Sequence, residues 1–419
     1  MMTSLTLRGA VALALATGAL TPLGAQTLQQ RIDRLEQENR EQAAAIEEAQ
    51  RTIAEQKQVM EGAPQRVQTL ERALEDKDAV DDGWFRNIEI AGLIEVEAFY
   101  AEPFGGGDES DIVLATFELG IASQVTDWVE VAASLLYEED DTDLEVDLAY
   151  ITIANPDVAP VFLTAGQIYV PFGAYETNLI SDPLTLEIGE TRETTVQLGF
   201  VYQGFGGSVY AFNGDNKIDG DSRLGSWGAN LLYGQERENL TWTVGAGYIS
   251  DLGDSDTLQD SVADNRSARL DELIESGDPL AGTFNTDPTE RTGGWTANFA
   301  VIANGFNLIG EYLTASDDFD PASLGFNGQG AKPSAWNIEL GYAFEIFGKE
   351  SVVAAAYQGT DEAVALELPQ ERWMLGLSVG IFDNTALSLE YAYDTDYDKD
   401  DGGTGDNANT VVAQLAVTF

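Results

Sequence analysis

Any chemistry in this chain would fall to carboxylates. Its 419 residues include no histidine and no cysteine, but 72 Asp and Glu against 21 Lys and Arg, a formal net charge of −51. Without imidazole or thiol there is no ordinary proton shuttle at neutral pH, no thiolate nucleophile, no disulfide and no lipid attachment through an N-terminal cysteine. No placed carboxylate pair stands out, so no catalytic residue, metal ligand or cofactor is assigned and the chain is not read as an enzyme. The distinctive stretch is Gly166–Glu193, GQIYVPFGAYETNLISDPLTLEIGETRE. Its candidate functional residues are Tyr169, Pro171, Phe172, Gly173, Tyr175, Glu176, Asn178, Asp182, Glu187, Glu190 and Arg192. Pro171 ends ladder pairing, and Gly173 and Pro183 permit turns. Leu179, Ile180, Leu184, Leu186 and Ile188 are too apolar to stay in water. Folding back into a barrel lumen would cover them and narrow a channel, with Asp182, Glu187, Glu190, Arg192 and Glu193 at the constriction. The alternative is a loop packed over a neighbouring barrel in an oligomer.

The elements that must position this loop are strands. From Trp84 to Phe419 apolar residues recur at every second position, the period of a strand with one apolar face. Trp336, Ile338, Leu340, Tyr342 and Phe344 oppose Asn337, Glu339, Gly341 and Ala343; Leu387, Leu389 and Tyr391 oppose Ser388, Glu390 and Ala392. The chain ends on Val411, Ala413, Leu415, Val417 and Phe419, an alternating strand that stops on an aromatic and resembles the closing strand and assembly signal of bacterial outer-membrane barrels. Segments near ten residues suit a tilted membrane strand. Short connections, such as Asn304–Gly305 and Asp383–Asn384, interleave with long ones, such as Pro171–Glu193, Asp251–Thr292 and Ser316–Pro333. The expected fold is all-β: a transmembrane antiparallel β-barrel of about 16 strands, preceded by an N-terminal coiled-coil helix. Trp84, Trp128, Trp227, Trp242, Trp295, Trp336 and Trp373 fall near strand starts and would build two aromatic girdles.

Two segments precede the barrel. Residues 1–25 read as a secretory signal, with Arg8, a short apolar core and Leu23–Gly24–Ala25 before the cleavage point. Residues 26–83 read as a periplasmic coiled coil and linker. Leu28, Ile32, Leu35, Asn39, Ile46 and Ile53 lie on a heptad seam, an oligomerisation element expected to hold a homotrimer. The barrel, 84–419, is placed in the outer membrane of a Gram-negative cell, where outer-membrane lipid, lipopolysaccharide and the barrel assembly machinery are its expected partners. The acidic balance excludes non-specific nucleic-acid binding, which needs a basic footprint. Acidic loops at Asp215–Asp221 and Asp394–Gly402 read as a solvated rim.

With its leader, coil and barrel, and above all the Tyr169–Thr191 segment, the chain resembles the LbtU-type siderophore porin family. The resemblance implies passage of a siderophore or iron chelate through a water-filled barrel without a plug domain. It carries no proven binding residue onto this sequence, only that loop as the functional segment. The alternative is a general diffusion porin, cation-preferring, with the coil as oligomerisation element or cell-wall tether. Many siderophores are anionic, and an acidic lumen containing Glu339, Glu345, Glu390 and Asp394 would repel them. Arg192 is the sole base of the loop, hence the candidate for steering an anionic chelate.

Overall fold

The computed structural model describes residues 88–139, 142–220, 222–346 and 348–419. The expected leader, the coiled-coil seam from Leu28 to Ile53, the linker and Trp84 lie outside the described residues. Ile88–Phe419 forms one compact unit, which carries everything that follows.

Strands β1 (Ile88–Glu102), β2 (Glu109–Thr126), β3 (Val129–Glu138), β4 (Thr142–Asn155), β5 (Ala159–Tyr169), β6 (Arg192–Tyr202), β7 (Phe205–Phe212), β8 (Ser226–Arg237), β9 (Leu240–Ile249), β10 (Gly294–Ala303) and β11 (Phe306–Ala315) each pair with the next. The two-residue strands β12 (Gly325–Phe326) and β13 (Gln329–Gly330) form a separate hairpin within a loop. The wall resumes with β14 (Ser334–Ile346), β15 (Lys349–Asp361), β16 (Glu371–Phe382), β17 (Thr385–Thr395) and β18 (Asn407–Thr418), and β18 pairs antiparallel with β1. These sixteen wall strands thus form a closed antiparallel barrel, which leaves no unpaired edge.

Alternation decides which face each residue takes. On β14, Ile338, Leu340 and Tyr342 are exposed on the outer face, while Asn337 and Glu339 are buried on the inner one. Inward polar side chains satisfy one another across strands: Gln197 donates to Ser208 at 2.9 Å, and Ser208 to Asn230 at 2.6 Å. The outer face carries two aromatic bands. At the long-loop rim Trp227, Tyr248 and Trp295 stand in line, with Trp336, Tyr357 and Trp373 further round. At the short-turn rim Tyr233 meets Phe205 and Trp242, and Phe306 meets Tyr342. An apolar outer wall between aromatic girdles is what a barrel in lipid requires.

The short connections are tight hairpins. Asn304 and Gly305 both take positive φ, 51° and 85°, as a two-residue hairpin twisted to match its strands demands. The long connections gather at the opposite rim and build their own apolar core. It includes Phe172, Leu184, Ile188, Leu258, Leu313, Leu324 and Leu366. Two helices serve it: α1 (Leu184–Gly189), in the loop after β5, and α2 (Asp256–Ser276), in the loop after β9.

Candidate pore constriction

The segment 170–191 leaves β5, crosses the barrel and runs along the inner wall from β9 to β17 before returning to β6. Phe172 accepts a hydrogen bond through its carbonyl from Thr296 on β10 (2.5 Å), and a β-carbon at Gly247 on β9 would collide with that same carbonyl. Ala174 and Tyr175 donate backbone N–H groups to the two oxygens of Glu311 on β11, both at 2.8 Å. Asn178 donates from its backbone (2.8 Å) and its side chain (2.6 Å) to Glu339 on β14, and the Thr177 hydroxyl joins them at 2.7 Å. Ile180 and Ser181 bond Glu390 on β17 through backbone N–H groups and the Ser181 hydroxyl. The return limb is α1, where Leu184 donates to Gln358 on β15 at 2.8 Å. These wall partners occupy the polar, inward face, whose neighbours in sequence are the exposed outer residues. The loop is therefore an internal strap. Glu339 and Glu390 are each 1 % exposed, and Leu184 and Ile188 are fully buried.

What remains open to the lumen is the strap's acidic edge. Glu176 and Asp182 are exposed, and Glu187 and Glu190 are partly so. Enclosure raises the Asp182 carboxyl to about 6, with Glu187 and Glu390 adding repulsion. Enclosure likewise raises Glu190 to about 8, helped by Asp256, Asp182, Glu187 and Asp147. Asp256, at the start of α2, is pushed up to about 6 by burial. Its backbone N–H donates to the carbonyl of Glu190 at 2.9 Å, and its carboxylate accepts from the Arg192 N–H, so α2 buttresses the strap where it re-enters the wall.

Several expected positions take a different part. Arg192 is not a free steering cation: it opens β6, and its guanidinium lies between Glu145 and Asp147 of β4, paired with both. Tyr169 sits at the end of β5 and donates to Asp147 at 2.8 Å. Glu339 and Glu390, expected as bare lumen charges, are covered by the strap because its irregular backbone leaves N–H groups that need acceptors. Asp394 is bound by Arg372 at 2.8 and 2.9 Å. Phe172 is buried in the loop core and Pro171 and Gly173 are half-buried beside it. Tyr175 has positive φ (53°) and a buried ring edge against Gly173 and Gly189. Among the described residues no group of Asp and Glu could hold a metal ion. Sequence reasoning missed Glu311 and Gln358, whose inward alternation was the available signal, and it missed α2. That helix has no glycine or proline from Asp256 to Ser276, and Gly277 ends it in the left-handed region at φ 67°.

The outward residues of β18 form the closing seam. Val411, Leu415 and Phe419 are exposed on the outer face, and Gln414 turns inward to donate to Glu97 of β1 at 2.9 Å.

A closed sixteen-stranded barrel with an internal strap is the porin fold. The structure is similar to OprB of Pseudomonas putida, with a TM-score of 0.55 at 10 % identity over 82 % of this chain and 96 % of that one. It is similar also to an anion-selective porin from Comamonas acidovorans, with a TM-score of 0.53 at 12 % identity over 79 % and 99 %. The outer membrane channel DcaP of Acinetobacter baumannii gives 0.52 at 14 % identity over 79 % and 97 %. In sequence, the chain is 30 % identical over 360 residues to a UPF0422 protein of Legionella pneumophila (strain Lens), and 28 % identical over 340 residues to a UPF0422 protein of Coxiella burnetii. The first alignment covers 79 % of this chain and 66 % of the relative, the second 78 % and 69 %. No protein-family model matches the chain.

Proposed function

We propose that this protein is an outer-membrane porin: a water-filled barrel through which small solutes diffuse past the strap, with a preference for cations and without enzymatic activity. The observation that carries this reading is the charge at the constriction. The strap's edge presents the carboxyls of Glu176, Asp182, Glu187 and Glu190, the last gaining its charge only as pH rises through about 8, while the inward bases Arg192 and Arg372 are each paired with carboxylates. A low-dielectric passage lined by unpaired carboxylates concentrates cations, and more so at low salt. In this reading residues 1–25 are the export signal, 26–83 a periplasmic coil that holds a homotrimer, and 84–419 the barrel, bordered by lipid and lipopolysaccharide. Single-channel recording in planar bilayers tests it. A reversal potential of the cation-selective sign across a salt gradient is expected, and an anion-selective or non-conducting barrel would overturn it.

A second reading, supported by the Tyr169–Thr191 segment, makes the solute a siderophore or iron chelate. The acidic edge would then favour a neutral or cationic chelate over an anionic one. Growth of an iron-starved deletion strain on siderophores of different charge separates this reading from general diffusion.

A further inference from the structure

Where the strap passes from β10 to β11 it stands over a cleft in the inner wall, lined by Glu176, Thr243, Asn298, Ala300, Ile309 and Glu311. The two carboxylates of this cleft differ. Glu311 engages both oxygens with the strap, accepting from Ala174, Tyr175 and Thr185. Glu176 is exposed, and among the described residues its carboxylate has no hydrogen-bond or ion-pair partner. The inward bases Arg192 and Arg372 are held elsewhere, by Glu145, Asp147 and Asp394. On the short-turn side the wall beside the cleft is apolar. Ile302, the next inward residue after Ala300, is 49 % exposed, and Leu232 of β8 is 43 % exposed. Both face the lumen. Ile302 pairs in the ladder with Asn307, whose amide meets Asn178 of the strap. Leu232 shares a face with Asn230, which is bonded to Ser208 on the inner wall. Gly245 lies between Leu232 and Asn298 in the ladder and has no side chain to separate them. Barrel interiors of this size are polar, so large aliphatic side chains bare to the lumen and next to an unpaired carboxylate are the exception that calls for a ligand.

We propose that this cleft binds an organic cation with an apolar body: Glu176 takes the cationic head, and Ala300, Ile302 and Leu232 cover the body. This rests on the reading of the barrel as a cation-preferring channel, and it names the class of solute that the channel favours. An inorganic cation meets the charge of Glu176 but gains nothing from the aliphatic face. A neutral apolar solute gains from that face but leaves Glu176 without a counter-charge. An anion is repelled by Glu176 and finds no free base among the inward residues of the strap and its wall. Only a solute with both parts satisfies the carboxylate and takes the aliphatic side chains out of water.

The test is potassium current through the full-length protein in planar bilayers, with competing solutes added. The probes separate the parts of the site: benzyltrimethylammonium has charge and an apolar body, tetramethylammonium has charge with little body, and benzyl alcohol has the body without charge. Benzyltrimethylammonium should halve the current at about one tenth of the concentration that either of the others requires. Glu176→Gln should raise that concentration about tenfold. Ile302→Ser with Leu232→Ser should bring benzyltrimethylammonium to the level of tetramethylammonium and leave tetramethylammonium where it was. Equal potency of the two cations in wild type, or of benzyltrimethylammonium and the alcohol, would overturn the proposal. So would a glutamine or serine variant that keeps the wild-type concentrations. Should the serine pair fail to fold, the glutamine variant decides alone, since Glu176 is exposed and bears on no wall contact. A folded wild-type barrel that conducts no potassium would instead remove the channel reading itself.

Discussion

Gly92 and Phe419 close the barrel. The Gly92 N–H donates to the Phe419 carbonyl at 2.8 Å, and the Phe419 N–H donates back to the Gly92 carbonyl at 3.0 Å. The terminal ring lies over Gly92 on the outer face, leaving no room there for a β-carbon. The last residue is thus both a lipid-side aromatic and the final ladder pair of the seam. Deleting Phe419 removes that pair, at about 0.5–1.5 kcal/mol for each hydrogen bond, together with the aromatic end of the strand. The deletion should sharply reduce heat-modifiable barrel in outer-membrane fractions. Gly92→Leu, which displaces the ring but keeps the chain end, should reduce it less. Equal wild-type yields for both would show that the seam does not depend on this contact.

Selectivity should depend on pH through the strap's edge. Asp182 at about 6 and Glu190 at about 8 are both raised from ordinary carboxyl values of 3.8 and 4.5. Each is neutral below its raised value and gains charge as pH climbs through it. Cation preference, read from reversal potentials, should therefore grow from pH 5 to 9. Asp182→Asn should flatten the lower part of that rise and Glu190→Gln the upper part. Stability runs the other way. The folded state holds protons that the unfolded chain has already released, so the contribution of these groups is full below the ordinary values and is lost as pH rises through 6 and 8. The junction of strap and α2 should accordingly exchange amide hydrogens faster at alkaline pH.

Arg192 neutralises part of the wall. It is paired with Glu145 and Asp147, and Asp147 also accepts from Tyr169 and Ser134. Arg192→Gln should release one net negative charge into the passage and raise cation preference, an effect that shrinks as salt screens it. If the variant instead lowers cation preference, the Arg192 side of the wall does not border the conducting path.

Much of the wall was legible because β-strand alternation is local. Ile338, Leu340 and Tyr342 declare an outer face, and Glu339 between them declares an inner one, whatever the rest of the chain does. The alternating loop lengths then fix which rim is which. The partners of the strap were not legible. Residues 174–181 meet acceptors 136 to 210 positions away in sequence, and no local spacing encodes that match. Arg192 misled for a related reason: a lone base in an acidic loop reads as free charge until the fold brings Glu145 and Asp147 beside it. Helix α2 was obscured by its composition. Only Leu258, Val262, Arg266 and Leu273 turn inward, and one of those four is charged.

That buried arginine is the tie of the mouth. Arg266 on α2 is 3 % exposed, and its guanidinium donates to the carbonyls of Thr286 (3.1 Å) and Asn285 (2.8 Å) and to the Ser323 hydroxyl (2.9 Å). Asp320 lies 3.5 Å away, and the Phe284 ring is 5.4 Å from the guanidinium carbon. One side chain thus joins the helix to two separate stretches of loop. Removing it strips these acceptors of their donors and leaves the buried Ser323 hydroxyl without its partner, which costs about 1–3 kcal/mol. Arg266→Ala should leave the barrel heat-modifiable, since no wall strand is touched, while residues 277–292 become open to added protease. Arg266→Lys should rescue little, because a point charge cannot reproduce the planar fork that reaches all three partners. If the alanine variant resists protease as well as wild type, the apolar contacts of Leu258 and Leu324 hold the mouth without it.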